Sequence, residues 1–244
     1  MGIPNGYTSG QVVQAVPSLS AYAVTSSTRP ASPFDGQIIS ETDTDTLQIY
    51  KGSAWGSPNG FIPIAPTSVT VGSGTGTASS NGVVTFTGAT TVLLNGIFSS
   101  SYTNYRIVFQ GYGVSNANNM RGRISLAGSV VTTGTYTSGF IAVDYSSSAS
   151  WTFIGGGGGT FAPMGWIDNG ATTANALAFD IYNPAVAVRT YWNGFTTGTN
   201  GGTANAGGIV MGMHETTSAY DGWQFFNSAG TNMTGTVSVF GYVK

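Results

Sequence analysis

Residues 105–111 read YRIVFQG, and the fold reading starts from this stretch. Tyr105, Ile107 and Phe109 recur with a period of two, which places them on one face of an extended chain, and the opposite face is mixed. The same period marks Ile124/Leu126, Ala178/Asp180/Tyr182 and Val237/Val239. Outward from this segment, candidate strands fall at residues 68–71, 83–87, 91–94, 105–111, 120–126, 139–145, 151–154, 176–182, 188–195, 208–214, 222–227 and 234–242. Clusters of Gly, Asn, Ser or Thr separate nearly all of them, and no amphipathic helical pattern intervenes. Short strands at this spacing predict an all-β chain whose residues 66–244 form an antiparallel, jelly-roll-like β-sandwich. No internal repeat suggests a propeller or solenoid.

Composition narrows the function. Charged residues are 7% of the 244-residue chain, against about 25% in an average globular protein. Glycine contributes 37 residues, roughly twice the usual share of about 7%. The surface is therefore polar but mostly uncharged, and such a surface can pack against copies of itself. Seven Lys+Arg against nine Asp+Glu give a formal net charge of -2. The dense cationic field used to bind nucleic acid or an anionic membrane is absent, so neither is expected as a partner. The chain has no cysteine, which excludes disulfide staples, zinc fingers and thiol catalysis. The first residues lack a basic stretch followed by an apolar run, and no segment reaches the ~18–20 apolar residues of a membrane span, so a soluble protein without export signal is expected.

Residues 1–27 contain Gly-flanked turns, Pro17 and a Ser/Thr cluster, and are read as an extended anchoring arm. Residues 28–65 are read as a small β-hairpin module with a Pro-rich linker. Pro30 and Pro33 stiffen the entry, Asp35-Gly36 turns, residues 37–40 extend, residues 43–45 reverse the chain and residues 47–50 return. The linker is PNGFIPIAP at residues 58–66.

Candidate chemistry is sparse. His214, the single histidine, has no G-x-S-x-G elbow to serve and is read as structural. Glycan cleavage needs two carboxylates about 5–9.5 Å apart. The candidates Asp144, Asp168, Asp180, Glu215 and Asp221 instead fit turns and exposed strand positions, so no catalytic residue is assigned. Residues 41–45, ETDTD, resemble half of a calcium loop but lack the glycine at position six and the glutamate at position twelve, so the hairpin turn is the better account. The glycine run 155–159 lacks the ending of a phosphate loop and is read as a connecting loop. No metal or cofactor is expected. Aromatic residues make up 12% of the chain, and exposed Trp or Tyr beside Asn and Asp would suit stacking on sugar rings. Trp166, Asp168, Asn169 and Tyr220 are the candidate receptor-contact positions.

Two stretches carry a family resemblance. RPASPFDGQIISETDTDTLQIYKGSAW, residues 29–55, resembles a segment near the start of many tailed-bacteriophage virion proteins, chiefly minor tail, fibre and collar components. The match lies at Arg29, Pro30, Pro33, Asp35, Gly36, Gln37, Glu41, Thr42, Asp43, Thr44, Tyr50, Gly52, Ser53, Ala54 and Trp55. LLNGIFSSSYTNYRIVFQG (93–111) and YDGWQFFNSAGTNMTGTVSVFGYVK (220–244) together resemble a C-terminal β-sandwich module of phage tail and fibre proteins, which implies that the two segments pair in one sheet. The resemblance implies a non-enzymatic virion protein, made in the host bacterial cytoplasm and assembled as a homotrimer. Residues 1–65 would hold it to capsid, neck or tail proteins, and the sandwich would be displayed toward a host cell-surface glycan or protein. The same modules also suit a capsid decoration, head-fibre or collar protein, and a polysaccharide depolymerase is the third reading.

Overall fold

A computed structural model describes residues 22–56, 60–113, 118–145, 150–167, 175–200 and 204–242. Every regular element among them is a β-strand. The chain divides into two compact units, residues 1–58 and 59–244.

The small unit is a four-stranded sheet in the order β1 (Tyr22–Val24), β2 (Ile38–Glu41), β3 (Thr46–Lys51), β4 (Ala54–Gly56). The β2–β3 hairpin forms as the sequence predicts, with Asp45 taking a positive φ in its turn. Two boundaries shift. Tyr22–Val24 pairs in parallel with β2, so the module begins before residue 28 and residues 22–24 are not part of an arm. Residues 1–21 lie outside the described region.

The large unit begins earlier than the expected residue 66. β5 (Phe61–Pro63), in the predicted linker, pairs with the last strand of the chain, and Phe61 packs against Phe240 and Tyr242. Thereafter come β6 (Ser68–Val71), β7 (Thr75–Ala78), β8 (Val83–Ala89), β9 (Thr91–Asn95), β10 (Asn104–Gly113), β11 (Asn118–Leu126), β12 (Ser129–Val130), β13 (Tyr136–Asp144) and β14 (Ser150–Gly159). They are followed by β15 (Ala162–Ile167), β16 (Asn175–Tyr182), β17 (Thr190–Asn200), β18 (Ala204–His214), β19 (Gly222–Asn227) and β20 (Met233–Tyr242).

The strand order establishes a jelly roll. One sheet contains the run β8-β20-β10-β16 and the other the run β9-β19-β11-β15, with the chain crossing from sheet to sheet between them. This is the doubled Greek key of an eight-strand jelly roll. The two segments expected to pair do so, with β10 and β20 antiparallel from Tyr105↔Gly241 to Gly113↔Met233. Insertions then widen one sheet. The β17–β18 hairpin continues it beyond β16, and the β13–β14 hairpin continues it beyond β18, giving ten strands with β5 and β7.

Two elements differ from their sequence reading. The glycine run 155–159 is not a loop but the second half of β14, paired with β13. Gly139 and Gly155 approach so closely that a Cβ on Gly155 would lie 2.5 Å from the Gly139 Cα. Glycine here permits contact between strands. β15 is absent from the predicted strands because Pro163 and Gly165 punctuate it. Gly165 has φ +127 and any Cβ on it would strike the Thr196 hydroxyl, so it lets β15 lie against β17. β15 is the edge strand of its sheet, where proline is tolerated.

Between the sheets, Trp223 is fully buried against Phe179, Phe225 and Trp192. Phe109 joins Phe225 to Phe86. The inward residues of β10, Tyr105, Ile107 and Phe109, are those the two-residue period selects. Tyr105 is anchored at its far end, its hydroxyl accepting from Ser99 N and donating to Ser99 O, both at 2.7 Å.

Candidate functional site

The insertion hairpins form a wing with two different faces. Its inner face is core: Tyr136, Phe140, Ala142, Trp192 and Val210 are buried. Strand alternation turns Ile141, Phe153, Phe195, Ile209 and Met211 outward, and all are exposed, with Phe195 at 69% and Phe153 at 67%. Register lines them up. Phe153 pairs with Ile141, Ile141 with Ile209, Ile209 with Phe195, Phe195 with Ala178 and Ala178 with Val108. The result is one apolar row across six strands, β14 to β10.

Missing side chains shape the ground beside this row. The Phe153 ring lies over Gly139 and Gly155, at 3.0 and 3.1 Å from where their Cβ atoms would be. Tyr145 lies across Gly207 in the same way, its hydroxyl 2.8 Å from a Cβ there. Between Tyr145, Val143, Ile141, Ile209 and Phe195 lies a shallow groove of about 440 Å³. The charged pair on this face is at its far side. Arg106 on β10 donates from Nε and Nη2 to the two Asp180 carboxylate oxygens, each at 2.8 Å, and the Tyr242 hydroxyl donates to Asp180 Oδ1 at 2.5 Å. Six strands at ~4.8 Å spacing and about ten residues at ~3.3 Å give the wing face an area on the order of 900 Å². That matches the ~800 Å² each partner buries in a standard protein interface. The face can bury apolar area against a flat partner.

The predicted contact positions lie elsewhere or are buried. Trp166, 6% exposed, is on β15 with its ring edge-on to Phe140 inside the sandwich. Tyr220, 3% exposed, is also enclosed and its hydroxyl meets His214 Nδ1 at 2.9 Å. Neither is available to a receptor, because in this sandwich the large aromatics of β15 and of the turn before β19 fill the core. Asp168 and Asn169 lie outside the described residues.

His214 is fully buried between the rings of Tyr136 and Tyr220. Its Nε2 meets the Thr135 hydroxyl at 2.6 Å, so both ring nitrogens are engaged by hydroxyls. Burial holds its pKa below the usual histidine value, against smaller opposing contributions from the Thr216 backbone and Glu215. The imidazole is therefore neutral near pH 7. Glu215 turns instead to the Thr137 hydroxyl, and Asp221 accepts from Ala127 N at 2.9 Å in a turn where Ala127 has φ +50. In the small unit, Asp43 accepts from Ser26 N and Oγ at 2.9 and 2.6 Å, and the side-chain hydrogen bond holds its pKa below the usual value. Among the described residues no group of three His, Cys, Asp or Glu could hold a metal ion.

Comparison with protein-family models, curated proteins and solved structures finds no match for this chain. The exposed row did leave a signal. FIAV at 140–143 and IVM at 209–211 are apolar at successive positions, so both faces of these strands are apolar, although a strand with one solvated face alternates.

Proposed function

We propose that this chain is a non-enzymatic structural protein of a tailed-bacteriophage virion, a homotrimeric fibre or fibre tip. Its N-terminal region attaches it to other virion proteins, and its jelly roll is presented to the host surface. The observation that carries the reading is the exposed apolar row of the wing, Phe153, Ile141, Ile209 and Phe195, with Met211 beside it. The wing face as a whole has the area of a standard subunit interface, and its exposed apolar row would be covered there. The partner that fits is a second copy of the same chain, since a symmetric oligomer buries the same patch on every subunit. The resemblance of residues 29–55 and of the two sandwich segments to phage virion proteins supports the origin.

Binding of the labelled full-length protein to host cells, in competition with phage adsorption, tests the attachment role. Saturable binding that blocks adsorption is expected. A folded oligomer that binds no host cell would transfer the reading to a decoration or collar protein, and release of reducing sugar from host polysaccharide would transfer it to a depolymerase.

A further inference from the structure

The opposite sheet has a different outer face. β11 turns Met120, Gly122 and Ile124 toward the core, so Arg121 and Arg123 both point outward. The Arg121 guanidinium lies 3.9 Å over the Phe161 ring and that of Arg123 4.3 Å over the Phe226 ring. The two rings meet edge to face with centroids 6.2 Å apart. In a chain with seven Lys+Arg, two are thus fixed side by side. The ion pairs among the described residues are Arg29 with Glu41 and Arg106 with Asp180, and neither Arg121 nor Arg123 joins one.

Polar capacity is also left over here. Arg121 Nε is buried without a hydrogen-bond partner. Gln224, directly across from Arg123 and 8% exposed, has a buried Oε1 with no partner. Arg123 Nε donates to Thr160 O at 3.0 Å, which fixes the plane of its guanidinium. Burial disfavours both charges, and for Arg121 the neighbouring Arg123 adds to the effect. An anion between the two groups would offset burial and repulsion together. Stacked guanidinium groups are pre-organised forks that match a carboxylate or phosphate.

We propose that Arg121 and Arg123 form an oxyanion-binding site that takes the carboxylate or phosphate of an acidic saccharide. A cavity of about 260 Å³ lined by Phe161, Pro163, Ile154 and Ser138 shares Phe161 with the Arg121 stack. The choice of a saccharide as carrier rests on the host-surface reading; the oxyanion site itself does not.

Calorimetric titration of the full chain at low ionic strength with trigalacturonate, mannose 6-phosphate and maltotriose tests the site. At least one of the two anionic sugars is expected to bind and maltotriose is not, and the two anionic arms separate carboxylate from phosphate. Arg121→Gln and Arg123→Gln should each weaken binding about tenfold or more, the range of a hydrogen bond to a charged group, whereas Arg189→Gln should leave it unchanged. If a glutamine variant melts early, Arg121→Lys and Arg123→Lys keep the charge and must still bind measurably. Binding no stronger than that of maltotriose, or binding unchanged in both glutamine variants, would overturn the proposal. Anion binding by a protein that does not attach to host cells would keep the site and remove the attachment role; attachment without anion binding would do the reverse.

Discussion

The small sheet of residues 22–56 and the jelly roll of residues 60–242 are built from opposite materials. Among the described residues of the small unit the buried apolar side chains are Val24 and Ile39. The Tyr50–Trp55 edge-to-face contact and a set of polar ties add to them. Glu41, almost wholly buried, pairs with Arg29 and accepts from the Thr44 hydroxyl at 3.0 Å. Asp35 accepts from Gly52 N at 3.1 Å, and Asp43 holds Ser26. The jelly roll instead encloses one aromatic core around Trp223, Phe179 and Phe225. A polar tie requires a particular residue at a particular position, whereas a core accepts many side chains of similar volume.

The largest expected effect breaks the large unit alone. Trp223→Ala should cost about 3–5 kcal/mol, read as accelerated hydrogen exchange across β10, β19 and β20, with peptides from residues 22–56 unchanged. The smaller unit is expected to fail on a polar change. Glu41→Ala removes the partner of Arg29 and should cost about 1–3 kcal/mol, since the hydrogen bonds lost involve a buried charge. Exchange should rise in β2 and β3 and stay constant in the jelly roll. Equal responses of both units to either change would erase the distinction.

Acid separates the units more gently. His214 has a folded pKa below its unfolded value of ~6.5, so the unfolded state takes up the proton first. The stability it contributes is present above that value and is lost as pH falls from it toward the depressed folded pKa. The slope is at most about 1.4 kcal/mol per pH unit, and His214→Asn should flatten it. The small unit, with no histidine, should hold until the carboxylate range, where its depressed Asp43 loses stability as pH falls below ~3.9. Thermal melts between pH 7 and 3 read both.

Much of the architecture was legible in the sequence for physical reasons. Alternation in residues 105–109 predicts which side chains enter the core, and the strand at residues 222–227 lies where it was expected. The glycine run of β14 and the Pro-Gly-bearing β15 were not legible, because close approach between strands depends on partners distant in sequence. Trp166 and Tyr220 were misplaced for a related cause: a polar neighbourhood in sequence does not reveal whether an aromatic ring faces solvent or the second sheet. The wing face was partly legible, in apolar residues at successive positions of β13 and β18. The arginine pair escaped notice because the stacking rings of Phe161 and Phe226 come from separate parts of the chain.

The most direct test of self-assembly through the wing is the mass in solution by light scattering, for the wild type and for Phe195→Asp combined with Ile209→Asp. Both substitutions lie on an exposed face, so the fold should survive with the melting temperature little changed. The account predicts three times 25.0 kDa for the wild type and 25.0 kDa for the variant. A monomeric wild type, or a trimer that the two aspartates leave intact, would contradict it.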